Sequence, residues 1–148
     1  MSYLQPLDAY RDAGLGASVA GASPHELIVM LFQGARVALA HARLAVGQGN
    51  VSARCQALSK AAAIIDDGLK ASLDLSSGGT LAAQLDSLYD YMVMRIAIAN
   101  AENDAAKIDE VDALLAGLEE SWRQIAVAWA NGRGLIAILP PDEIEVLD

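Results

Sequence analysis

Two histidines, one cysteine and nineteen acidic side chains are the groups in this chain that could carry chemistry. Metal-carboxylate bundles use Glu-x-x-His pairs that project inward from facing helices. No Glu-x-x-His occurs here, and the acids fall mostly on the outward faces of helical patterns, so neither a metal nor a cofactor is expected. His25 falls in the first turn of a helical pattern, where an imidazole reads as solvated or end-capping. Cys55 reads as a small buried apolar group, as free cysteine usually is, and a single cysteine excludes an intramolecular disulfide framework. No glycine-rich phosphate loop follows a strand, because no strand pattern is present. No catalytic residue is expected.

His41, in "LAHARLAVG", raises one sharper alternative. Its place on a helix superficially resembles that of a histidine phosphotransfer domain. Such domains follow the histidine with a lysine three residues on and then a glycine; here those places hold Leu44 and Ala45. The cation that would steady a phosphoryl group is missing. The plainer reading of His41 is a histidine at the edge of a helix face.

Composition narrows the class. The chain has 148 residues, 54% of them hydrophobic but only 5% aromatic, so alanine and leucine do most of the burying. That favours closely packed helices over strands, which draw on β-branched and aromatic residues. A net charge of −9 argues against nucleic acid as a partner, since phosphates would be repelled. Charge interrupts every long apolar stretch before the ~18 residues of a membrane span, and no signal peptide is evident, which points to a cytosolic protein without a membrane partner.

The elements that would position these residues are four helices. "ASPHELIVMLFQGA" writes a helix start: Ser23 as N-cap, Pro24 at the first helical position, and Glu26 three residues after the serine. This helix runs from about Pro24 to Val46, with Leu27, Ile28, Leu31, Phe32, Ala35 and Leu39 inward, and stops at "GQGN". A second runs from about Ser52 to Leu73, with Leu58, Ala62, Ile65 and Leu69 inward; the glycines of "DLSSGG" supply a left-handed stop. Thr80 caps a third, Leu81 to about Ala101, which "END" breaks at 102–104. The fourth carries Ile108, Val111, Leu115, Leu118, Trp122, Ile125 and Trp129 at alternating spacings of three and four, a bundle seam with Trp122 buried. Short connections make neighbours antiparallel. The expected fold is therefore all-α: an antiparallel up-down four-helix bundle over 23–132. Residues 1–22 precede it as an amphipathic arm (Tyr3, Leu7, Tyr10) and a glycine-rich linker, and 133–148 follow as a mobile acidic tail.

Two segments carry more than periodicity. "YRDAGLGASVAGASPHELIVMLFQGA" resembles the start of the FliS family of flagellin export chaperones, which shows a tyrosine, a valine, Ala-Ser-Pro, and a Leu-x-x-Met-Leu-Tyr-x-Gly-Ala run. Here these are Tyr10, Val19, Ala22 to Pro24, Leu27, Met30 to Phe32, and Gly34-Ala35. The segment from Lys60 to Asn100 resembles the family's middle, with Ile64-Ile65, Ser72 to Asp74, Leu88 to Met92, Arg95 and Asn100, and Trp122 matches the tryptophan of the last helix. Departures are mild: Phe32 replaces the usual tyrosine, Gly21 stands where threonine is common, and Ile96 replaces a leucine.

The resemblance implies a non-enzymatic protein that binds the disordered C-terminal segment of newly made flagellin in the cytosol. It would block premature polymerisation and help deliver flagellin to the flagellar type III export gate. It leaves open whether an anti-sigma factor or a co-chaperone also binds. The client groove it implies draws on Tyr10, Leu27, Met30, Leu31, Leu85, Tyr89, Tyr91, Met92, Arg95, Ile96 and Asn100. Ser23, Pro24, Glu26 and Trp122 are structural. Tyr89, Tyr91 and Met92 lie at ~100° steps on one helix, so one of them must be peripheral, and Tyr91 is the residue expected to face the client. A general helical adaptor for another amphipathic segment is the competing reading.

Overall fold

The computed structural model describes residues 23–128, and the side chains of residues 23–124. Tyr10 and the rest of the arm, Ile125, Trp129 and the acidic tail lie outside the residues so described.

α1 spans Pro24–Gln48 and starts as its sequence dictates. Ser23 is extended, and its hydroxyl accepts the Glu26 N–H at 3.2 Å, with proline in the first turn. Among the described residues, only this half of the reciprocal cap is formed. Gly49, left-handed at φ 67°, closes the helix by donating to the carbonyls of Ala45 and Val46. The next residue, Asn50, opens α2 (Val51–Ala63) by accepting the Ala53 N–H at 3.0 Å. One short turn thus ends one helix and caps the next.

The second helix departs from the expected regular run to Leu73. After Ala63 the chain widens into a π-helical turn, Ile64–Leu69, then tightens into a 3-10 turn, Lys70–Ser72. An α-helix turns adjacent residues ~100° apart; the extra residue of the π turn lets both Ile64 and Ile65 sit fully buried, with Gly68 and Leu69 behind them. The two glycines do not end this helix. Its last turn gives way to extended Leu73, and the left-handed glycine, Gly79, stands at the start of α3. Asp74 organises the intervening turn by accepting the backbone N–H groups of Ser76 and Ser77 at 3.1 Å and both of their hydroxyls, which hold its carboxyl down at about 2.

α3 spans Gly79–Glu102, so it begins ahead of Thr80, behind Gly78 and without a side-chain cap. Asn103, left-handed at φ 53°, ends it. Asp104 accepts the Ala106 N–H at 3.0 Å at the start of α4, Ala105–Ala128. α1 packs on α2 and α4, and α3 closes the ring against the same two. Arg36 pairs with Asp112 and Arg43 with Asp109, an order that fixes α1 and α4 as antiparallel. The described residues form an all-α four-helix bundle with no strand among them.

The core runs through Leu31, Phe32, Leu39, Leu58, Met92, Ile108 and Leu115. Four expectations change on packing. His25, expected in solvent, is buried at 4% exposure and lies against Trp122. Trp122 itself is only half-buried, packed on the edge of the core near the end of α4. Cys55 is likewise half-buried, its Sγ 3.4 Å from the Asn100 side-chain oxygen. Glu119 is an inward acid, 7% exposed, whose carboxylate Arg36 and Arg123 share. α1 also differs from the expectation that no segment is apolar enough for a membrane: by length and composition it passes that test. Within the bundle its apolar face is core, and its two interior arginines bind α4 carboxylates.

Candidate functional site: an apolar end and an open groove

The up-down topology gathers the start of α1, the end of α2, the start of α3 and the end of α4 at one end of the bundle. That end is the less tightly closed. Leu27, Ile28 and Met30 of α1, Leu85 and Leu88 of α3, and Leu118 and Trp122 of α4 are all only half-buried against the core. Lower down, Ile96, Ala99, Ile108 and Val111 are sealed. Apolar side chains left part-covered at one end can accept apolar side chains from another chain.

The residues singled out from sequence divide among three environments. Leu31, Tyr89, Met92 and Ile96 are buried in the core, and burial pushes the Tyr89 hydroxyl well above the usual tyrosine range. Leu27, Met30 and Leu85 stand at the part-open end. Tyr91 is 37% exposed on the outer side of α3. Its hydroxyl donates to Glu110 of α4, Arg95 Nε donates to the same carboxylate at 2.8 Å, and the Arg95 guanidinium lies 5.9 Å from the centre of the Tyr91 ring. These donors hold the Glu110 carboxyl below its usual range, while the Glu110 acceptor pushes the Tyr91 hydroxyl up. The phenol is thereby laid across the α3–α4 seam. Asn100 does different work: its side-chain oxygen accepts Arg54 Nε at 3.1 Å and its carbonyl accepts a second guanidinium nitrogen at 3.2 Å, tying the start of α2 to the end of α3.

Sequence reasoning missed a groove. Between α1 and α4 lies an open trough of about 800 Å³, floored by Gly34, Val37, Leu39, Ala40 and Ile108 and walled by Arg36, Arg43, Asp109 and Asp112. Val37 is an exposed large apolar residue there. The signal was present in Val37 and Ala40, one turn apart beside the core stripe of α1.

Nothing in this arrangement resembles reaction machinery. Among the described residues no group of His, Cys, Asp and Glu side chains is placed to hold a metal. His41 is exposed on α1. A helical bundle with a part-open apolar end and an open trough is suited to act as a binding module for another polypeptide segment.

The comparisons specify which kind. The profile of the family described as Flagellar protein FliS matches residues 6–128. The chain is 51% identical over 120 residues to the flagellar secretion chaperone FliS of Salmonella typhimurium, covering 81% of this chain and 89% of that protein. It is similar also to the flagellar secretion chaperone FliS of Escherichia coli K12, 39% identical over 116 residues (78% and 85% covered). A third relative is the flagellar secretion chaperone FliSB of Pseudomonas aeruginosa, 38% identical over 126 residues (85% and 99% covered). The chain belongs to the FliS family of flagellar secretion chaperones, and its role is that of an export chaperone in flagellum assembly, not of an enzyme.

Proposed function

We propose that this chaperone binds the disordered C-terminal segment of flagellin in the cytosol, keeps it from polymerising early, and carries it to the flagellar export gate. Family membership supports the reading, and the observation that carries it is the part-open end, where Leu27, Met30 and Leu85 are held by the fold yet left incompletely covered. A disordered client gives up roughly 2–5 kcal/mol on ordering. Apolar contact over a large area offsets that and keeps the complex releasable. Tyr3, Leu7 and Tyr10 form an apolar face too small to fold alone, and in this reading the arm covers the part-open end until the client displaces it.

Calorimetric titration of the full chain with a flagellin C-terminal peptide tests the reading. Saturable binding with a negative heat-capacity change is expected, because apolar surface leaves water. Amide hydrogen exchange should then show new protection over 27–31 and 85–96. Loss of protection over 1–12 would accompany it where the arm yields. Absence of binding to the peptide, with capture of a different amphipathic helix, would favour a general helical adaptor.

A further inference from the structure

Trp122 carries an unpaired donor. Its ring is half-buried at the part-open end, packed on the core and against His25. Its Nε1 is nevertheless shut away from solvent, with no acceptor among the described residues. A buried N–H left unpaired costs free energy that an acceptor brought to it would return. Glu119, one turn back on α4, has a carboxylate already shared by Arg36 and Arg123 at 3.3 and 2.7 Å. The other polar side chains of the sequence-derived groove differ in this respect. Tyr91 and Arg95 both donate to Glu110, and Asn100 accepts from Arg54.

The surroundings of the indole are those of a binding face. Leu118 precedes it on α4, Leu27 stands at the start of α1 and Leu85 at the start of α3, each part-covered. The torsion that turns an indole about its Cβ–Cγ bond is soft, and a donor that makes no bond gives up none when it turns outward. The charge of a fitting acceptor is constrained as well. Glu26 follows His25, and Glu119 and Glu120 lie within one turn of Trp122, in a chain of net charge −9. The adjacent cation, Arg123, is taken by Glu119. A carboxylate brought here would meet acids, whereas an amide oxygen accepts without that repulsion. A polypeptide supplies such oxygens from its main chain, where each carbonyl has a second lone pair, and from Asn and Gln side chains.

We infer that the Trp122 indole N–H donates to an uncharged amide oxygen of the flagellin segment seated at the part-open end, and so fixes the register of that segment. The inference rests on the flagellin reading and deepens it. Apolar contacts at Leu27, Met30 and Leu85 tolerate sliding; a single directional bond does not. A segment out of register leaves the buried donor unpaired, which penalises it relative to the correct one. Trp122, structural by its place in the seam, thereby also determines specificity.

Replacing the indole of Trp122 by benzothiophene, through an unnatural amino acid placed at 122 in the full chain, tests this. The ring keeps its shape and loses only the N–H. Calorimetric titration of the unmodified chain with a flagellin C-terminal peptide comes first: no binding there overturns the flagellin reading and this inference with it. Given binding, the benzothiophene chain should bind about fivefold to tenfold more weakly, equally at low and at high salt, and its unfolding midpoint should hold or rise. Equal affinity in the two chains overturns the inference alone. A lower midpoint with equal affinity means that the N–H is paired within the chain, and also overturns it. A loss that fades at high salt marks a charged acceptor, and overturns the assignment to an amide. A second readout leaves the ring intact. The indole proton of Trp122, identified as the resonance missing in Trp122→Phe, should move downfield when the peptide is added, and an unmoved resonance overturns the inference.

Discussion

The imidazole of His25 stands against the indole of Trp122, ring centroids 5.8 Å apart and planes tilted by 35°, joining the first turn of α1 to the last turns of α4. Burial lowers the histidine pKa below its ordinary value of 6.5. The folded chain therefore resists a proton that the unfolded chain accepts. Stability from this site is complete above about pH 6.5 and falls as the pH drops below it. The denaturant midpoint should decline between about pH 7.5 and 5.5, and His25→Phe should flatten that part of the profile. An unchanged profile in His25→Phe would place the titration elsewhere.

Depth of burial ranks two substitutions in the α4 seam. Leu115 is fully enclosed, and Leu115→Ala should cost about 3–5 kcal/mol by chemical denaturation. Trp122 is larger but only half-buried, so Trp122→Ala should cost less, about 2–3 kcal/mol. The reverse order would mean that the end of the bundle is packed as tightly as its middle.

Glu119 is the inward acid of α4, and its carboxylate accepts from Arg36 at 3.3 Å and from Arg123 at 2.7 Å. Both guanidinium groups are substantially exposed, and Arg36 keeps Asp112 if Glu119 is removed. The loss on Glu119→Ala should therefore fall short of the full cost of stranding a buried charge, at roughly 1–2 kcal/mol. Glu119→Gln should retain part of the difference, because an amide oxygen still accepts from a guanidinium.

What the sequence discloses follows from how local each determinant is. The Ser23 cap, the Gly49–Asn50 turn and the seam of Ile108, Val111 and Leu115 depend on neighbours within a few residues, and each is readable. The π turn is not, because whether both Ile64 and Ile65 can face inward is decided by the room available between α1 and α3. His25 is misread for the same reason: the ring it lies against is Trp122, almost a hundred positions away in the chain. The residues marked by family resemblance are recognisable as a set, yet the pattern does not separate those that hold the fold from those left uncovered. Burial makes that division, with Met92 and Ile96 inside and Tyr91 outside. The α1–α4 trough escapes because an exposed Val37 is unremarked until the neighbouring helix is in place.

Asn100 should behave as a structural clip. Its side chain and carbonyl both receive the Arg54 guanidinium, which reaches on to Asn103 at 2.8 Å. Asn100→Ala removes a charge-assisted acceptor at a part-buried site and should lower stability by about 1–2 kcal/mol. Affinity for a flagellin C-terminal peptide, measured well below the melting point, should change little. A large loss of affinity at constant stability would move Asn100 to the client surface.

Tyr91 should show the opposite behaviour. Its ring is pinned across α3 and α4 by the Glu110 carboxylate and the Arg95 guanidinium, and it remains exposed. A pinned aromatic loses little rotamer freedom on contact, which suits it to anchor an apolar segment. Tyr91→Ala should weaken peptide binding about tenfold, equivalent to about 1.4 kcal/mol. The unfolding free energy should shift by no more than about 0.5 kcal/mol, as expected for an exposed position. Tyr91→Phe keeps the ring and loses only the bond to Glu110, which Arg95 continues to hold, so affinity should stay close to that of the parent. Equal losses in both variants would assign the effect to the hydroxyl. A fall in stability with unchanged affinity in Tyr91→Ala would show that the phenol serves only to fasten α3 to α4.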